Sequence, residues 1–208
     1  MINILNLQTI INKERIFKKL HIKEGTEAFN NADGVFDELC CIIKNKMKIT
    51  AVYMITDDLK LEGTDDFEKH IICFISSDDD ISELSHTMIT DGSYMKGYLL
   101  HEMAVDVVFA ASNKVNNSIK KESEDSGYRL SRRYAPGDGS LSLNAQKILL
   151  DILKNETEIK AYLNEENVLV PENTLLYIFG LAKGVENEQD SRNCSLCDNQ
   201  DCQYREIK

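Results

Sequence analysis

A chain of 208 residues with 42% hydrophobic content is long enough to bury a core without disulfide or metal staples. Its formal net charge of -11 excludes a nucleic-acid phosphate backbone or an anionic membrane as the main partner, since both require clustered lysine and arginine. No stretch approaches the roughly 20 consecutive apolar residues of a membrane span, and the first residues lack a basic region followed by an apolar one, so a cytoplasmic location is expected.

In chain order, residues 2–10 carry Ile2, Ile4, Leu5, Leu7 and Ile10 and predict a short strand, followed by an amphipathic turn over 13–20. Residues 26–46 place Phe29, Ala32, Val35, Phe36, Leu39, Cys40 and Ile43 at helical spacing, which puts them on one face. Cys40 reads there as a small buried hydrophobe and Cys41 points elsewhere. Ile49–Thr56 and 71–75 are β-branched, apolar runs and predict two strands. Between and after them lie Asp65, Asp66 and Asp78, Asp79, Asp80, of which Asp79 or Asp80 is expected to cap a helix beginning near Ser82.

The longest helical pattern runs from Ser93 to about Glu122. Tyr98, Leu99, Met103, Val107, Val108, Phe109, Ala111 and Val115 make its middle apolar nearly all round, as in a centrally buried helix. Asp106 is the one charge inside that run; exposure on a narrow polar face with Glu102 and Asn113 is the expectation, and a paired core carboxylate or a ligand contact is the alternative. Residues 116–126 are expected to form a solvent-exposed helix end and loop.

Residues 132–139 read Arg-Arg-Tyr-Ala-Pro-Gly-Asp-Gly and form the sharpest turn signal in a chain with two prolines. Pro136 pre-sets the first central position of a type II turn and Gly137 supplies the positive φ of the second. Successive N–H groups of such a turn, with Arg133 upstream, would form a small anion site; an ordinary helix-to-helix connector is the alternative. Ser142 or Asn144 can cap the next helix, with Ile148, Leu149, Ile152 and Leu153 inward and a continuation through Ile159 and Leu163. Strands over 167–170 and Thr174–Ala182 are joined by Pro171, Glu172 and Asn173 as a hairpin. Strands from both ends of the chain, separated by helices, predict an α+β fold with a mainly antiparallel sheet over residues 1–183.

Residues 184–208 are a polar linker and a Cys-rich tail in which Cys194, Cys197 and Cys202 have C-x2-C-x4-C spacing. Such spacing suits an iron–sulfur cluster or a zinc knuckle, with three thiolates available. A distant residue such as Cys73 or His70 would complete a closed site. The other readings are a site with an open position and a set of unmetallated thiols.

The stretch Tyr128-Arg-Leu-Ser-Arg-Arg-Tyr-Ala-Pro-Gly-Asp-Gly-Ser-Leu-Ser-Leu-Asn-Ala-Gln-Lys147 resembles the activation domain of cobalamin-dependent methionine synthase and, more closely, its free-standing bacterial relatives. Those carry an Arg-x-Ser/Ala-Pro-Gly-Tyr-Gly turn and then a helix containing Gln-Lys. The strand–Pro–strand segment 169–175 and the cysteine tail are similar too, so the resemblance covers about residues 95–205. It implies a C-shaped domain on a twisted antiparallel sheet that binds S-adenosylmethionine and docks on a corrinoid-binding methyltransferase or methionine synthase module. There it supports reductive remethylation of cobalamin carried by the partner, with a flavodoxin or ferredoxin supplying the electron, so that the chain is an accessory to the methyltransferase. By the same resemblance Arg133 would contact the methionine carboxylate, and the backbones of Ala135 and Gly137 would line the cofactor groove. Asp138 stands where the family usually has tyrosine and places a negative charge beside that site. The family's acidic cofactor contact on the long helix aligns near Phe109, with Glu102 and Asp106 as neighbours. An iron–sulfur electron-transfer or sensing protein with a degenerate groove, or a zinc-knuckle interaction module, is the alternative function.

Overall fold

Helices begin where a side chain can accept the free N–H groups of a first turn. The computed structural model describes residues 2–6, 10–57, 59–64, 66–77, 80–138 and 141–183. After strand β1 (Ile2–Asn6), Asn12 accepts from the Arg15 amide at 2.9 Å and opens α1 (Lys13–Lys19). Thr26 accepts from the Phe29 amide at 3.2 Å and opens α2 (Glu27–Lys46), which buries Ala32, Phe36, Leu39 and Ile43 as the spacing predicts. Strands β2 (Ile49–Thr56) and β3 (Lys69–Ser77) follow, then α3 (Asp80–Thr90) and α4 (Tyr94–Asp125). The capping assigned to Asp79 or Asp80 lies outside the described side chains, and α3 starts at Asp80, earlier than the expected Ser82. The chain ends its described part with β4 (Arg129–Leu130), α5 (Ala145–Glu156), β5 (Tyr162–Leu163), β6 (Leu169–Val170) and β7 (Thr174–Ala182).

The main sheet has the order β1-β2-β3-β7-β4, with every pairing antiparallel. β3 and β7 are central and buried on both faces, which is why each reads as a near-continuous apolar run rather than an alternation. On one face Ala51, Tyr53, Ile71, Cys73, Ile75, Tyr177, Phe179 and Leu181 meet helices α1 to α4. On the other, Val52, Met54, Ile72, Phe74, Leu176 and Ile178 meet α5, Leu59, Leu61 and the β5–β6 pair. Full burial of each such isoleucine or phenylalanine contributes roughly 1.5–3 kcal/mol, so these two layers hold the fold together. No described helix is long and apolar enough to cross a membrane.

Four expectations change. Residues 116–126 are helix rather than helix end and loop: α4 continues to Asp125, and while most of these residues are exposed as expected, Asn116, Ile119 and Ser123 are buried because its last turns still lie on the sheet. Asp106 and Glu102 are buried rather than on a polar face, because α1 lies over them and supplies Arg15 and Lys19. The helix after Asn144 stops at Glu156, and Ile159 and Leu163 belong to the segment that forms β5. β6 and β7 are not a hairpin, since β6 pairs with β5 and β7 pairs with β3 and β4. The residues between them therefore carry the chain from one sheet to the other.

Candidate functional site

The site grows from the outer edge of β7. Here β4 pairs Leu130 with Leu181, and Ser131 then donates its N–H to Gly180 O at 2.9 Å. The Gly180 amide returns to the Ser131 side chain at 2.7 Å instead of to a carbonyl. The next reciprocal pair is Tyr134 with Ile178, at 2.9 and 2.8 Å. Arg132 and Arg133 thus stand against the single residue Phe179, the two-against-one arrangement of a β-bulge. The extra residue reverses the alternation of the edge. Leu130 and Ala135 pack into the α4-side core while Tyr134 packs into the opposite one.

This reversal places Arg133 on the face occupied by Tyr177 and α4, with its guanidinium carbon 5.2 Å from the Tyr177 ring centroid. Arg132 stacks instead on Tyr134, at 4.8 Å. Arg133 is half-buried, and among the described residues it makes no ion pair with a carboxylate. The turn that follows has the expected form: Gly137 adopts φ +82° and the Asp138 amide donates to Ala135 O at 2.9 Å. Among the described residues the turn's amides are not free to form the expected anion nest. The Gly137 amide donates to Leu141 O at 2.8 Å, so both N–H groups are consumed inside the turn. Gly137 and Asp138 are exposed, and Leu143 backs the glycine so closely that an added Cβ would sit 3.3 Å from its Cδ1.

Beneath Arg133 lies a buried polar cluster that sequence reading missed. Ser112 Oγ lies 2.9 Å from the Tyr177 hydroxyl, which donates to Asn116 Oδ1 at 2.7 Å. Cys73 sits opposite Tyr177 across the β3–β7 ladder and is wholly buried. The available signal was Tyr177 itself, since a tyrosine in a strand buried on both faces needs a partner for its hydroxyl. Burial pushes the Cys73 thiol up, against the smaller opposing pull of the Arg133 charge. Burial, reinforced by Cys73, pushes the Tyr177 hydroxyl up as well.

Both groups keep their protons in the fold at a pH where the unfolded chain loses them. For the thiol this begins at its ordinary 9.0. There the unfolded state binds fewer protons than the folded one, so stability falls with rising pH by at most about 1.4 kcal/mol per unit per group. Urea melts from about pH 8 to about pH 10.5 should therefore steepen downward above the thiol value, and Cys73→Ala should remove the first part of that slope. An unchanged slope in the variant would contradict the burial assigned to Cys73.

Glu102 and Asp106 do not join the Arg133 cluster. Glu102 Oε2 accepts from Lys19 Nζ at 2.5 Å, and Asp106 Oδ2 accepts from Arg15 at 2.7 Å. Cys194, Cys197 and Cys202, like Gly139, lie outside the described residues. Among the described residues no group of three His, Cys, Asp or Glu side chains is placed to hold a metal. Cys73 and His70, considered as further ligands, are buried on opposite faces of β3.

No protein-family model matches the chain, and no curated protein matches it. A solved structure does. The crystal structure of the MetH reactivation domain bound to AdoHcy superimposes with a TM-score of 0.65 over 92% of this chain and 81% of that one, at 9% sequence identity. The chain therefore has the α+β fold of the MetH reactivation domain, with an antiparallel sheet and flanking helices.

Proposed function

We propose that this chain binds an S-adenosyl ligand through Arg133, with Ala135, Gly137 and Asp138 around it, and docks on a corrinoid-carrying methyltransferase as its activation subunit. The single observation that carries the reading is a half-buried guanidinium, stacked on an aromatic ring and without a carboxylate partner among the described residues, in a fold whose solved counterpart holds AdoHcy. Such a group is the donor a carboxylate needs, because two N–H bonds match both oxygens at once. In this reading the methyl group leaves the sulfonium of S-adenosylmethionine for the reduced cobalt of the partner, and S-adenosylhomocysteine remains. The electron that reduces the cobalt comes from a flavodoxin or ferredoxin. The chain supplies ligand orientation and the docking face.

The test is a thermal melt with S-adenosylhomocysteine. At about one hundred times its Kd the ligand adds about 2.7 kcal/mol, which for a chain of this size raises Tm by roughly 5–10 °C. A flat Tm at millimolar concentrations of both S-adenosylhomocysteine and S-adenosylmethionine would overturn the reading.

A further inference from the structure

An arginine side chain with four rotatable bonds is a poor anchor unless something holds it, because each ligand it binds must first stop its motion. The bulge delivers Arg133 to the Tyr177 face, but a bulged edge residue is not otherwise fixed. Tyr177 is fixed. It is 1% exposed, its ring meets Phe179 edge-on at 5.6 Å, and its hydroxyl bridges Ser112 and Asn116, one helical turn apart on α4. The hydroxyl uses its donor on Asn116 Oδ1 and accepts from Ser112, so the ring plane is set by the helix rather than by Arg133. The guanidinium then lies over that ring at 5.2 Å, within the range where the ring's negative face attracts a cation.

We propose that Tyr177 is the positioning residue for Arg133: its ring, pinned to α4 through Ser112 and Asn116, holds the guanidinium in place before any ligand arrives. The proposal rests on the role given to Arg133 above and assigns that role a support from a different element. It makes α4 part of the site without contact to the ligand. The interaction is electrostatic, through the ring face, and that separates it from simple packing. A packing role depends on the shape at position 177, whereas this one depends on the electron density of the ring.

The experiment uses the full chain with Tyr177→Phe as reference and with 4-fluoro- and 3,5-difluorophenylalanine installed at the same position. All three lack the hydroxyl and keep the ring, so loss of its two hydrogen bonds is common to them and cancels in the comparison. The first readout is ligand-free, the 15N relaxation of the Arg133 Nε–H group. The second is S-adenosylhomocysteine affinity by calorimetry. Arg133 should be most ordered in the unsubstituted chain, which keeps the hydroxyl bonds to α4, less ordered in Tyr177→Phe and progressively more mobile with each fluorine, and affinity should fall in the same order by up to about tenfold. Unchanged Arg133 order across the series would overturn the proposal. If Arg133 loses order with fluorination while no form of the chain binds S-adenosylhomocysteine, the positioning role stands and the proposed ligand does not.

Discussion

Arg133→Ala should abolish the S-adenosylhomocysteine-induced rise in Tm and leave the ligand-free Tm nearly unchanged. The guanidinium is half-buried and pairs with no carboxylate among the described residues, so its removal strands no opposite charge in the core. The ligand loses much more. Each hydrogen bond to a charged group contributes about 1.5–3 kcal/mol, so removal of a two-pronged contact weakens binding by roughly two to four orders of magnitude. Arg133→Lys separates charge from geometry. It keeps the cation but gives up the fork and much of the stacking on Tyr177, and about tenfold weaker binding is expected. Asp138→Asn should act in the opposite direction, tightening binding by about two- to threefold at low salt, because the exposed Asp138 carboxylate adds only a screened repulsion. Calorimetry on the three variants decides the matter. Unaltered affinity in Arg133→Ala would remove the ligand site from this turn.

The second large effect is on stability and turns on two helical glycines that should respond with opposite signs. Gly97 lies on α4 where that helix crosses α3. A Cβ there would sit 2.6 Å from Ile89 Cγ1 and 2.7 Å from the backbone oxygen of Ser85, whose hydroxyl in turn donates to Gly97 O at 2.9 Å. Alanine gains about 0.8–1 kcal/mol in helix propensity over glycine. Forcing a methyl group against backbone costs about 1–3 kcal/mol, occasionally more. The clash wins because one of the two contacts is a carbonyl that cannot rotate away. Gly97→Ala should therefore destabilise by about 1–2 kcal/mol and Gly97→Val by roughly 3 or more, since a branched Cβ meets both contacts and is also a poorer helix former. Gly34 in α2 has nothing within 4 Å of its would-be Cβ. There only the propensity remains, and Gly34→Ala should stabilise by about 0.5–1 kcal/mol. Urea denaturation of the two alanine variants checks the pair, and a stabilising shift in Gly97→Ala as well as in Gly34→Ala would show that α3 and α4 do not approach as closely as described.

The two glycines also mark where sequence reading stops. Both sit inside helical patterns, and nothing local distinguishes the one that another helix touches from the one facing solvent. The charges on α4 behave alike. Asp106 and Glu102 look like members of a polar stripe because the periodicity of a helix reports only its own faces. Their burial depends on Arg15 and Lys19, which arrive from α1 some 80 to 90 residues earlier in the chain. The Pro171 turn failed as a hairpin for a related reason. Local apolar runs identify β6 and β7 as strands, but which strand each pairs with is a long-range choice.

What the sequence determined by itself is what a few neighbouring residues can fix. The Thr26 start of α2, the apolar face of that helix, the doubly buried strands β2, β3 and β7, and the type II geometry of Ala135 to Asp138 follow from side-chain hydrogen bonding, periodicity and the φ preferences of proline and glycine. The resemblance carried by the stretch from Tyr128 to Lys147 led to the right fold as well. The tertiary structure alone decided how the turn is set in the fold. It set β7 between β3 and β4, consumed the amides expected to hold an anion, and flipped the edge by one residue so that Arg133 lies on Tyr177. A register shift of one residue exchanges the two faces of a strand without changing its composition, so no reading of the Arg-Arg-Tyr order could tell which arginine faces the ring.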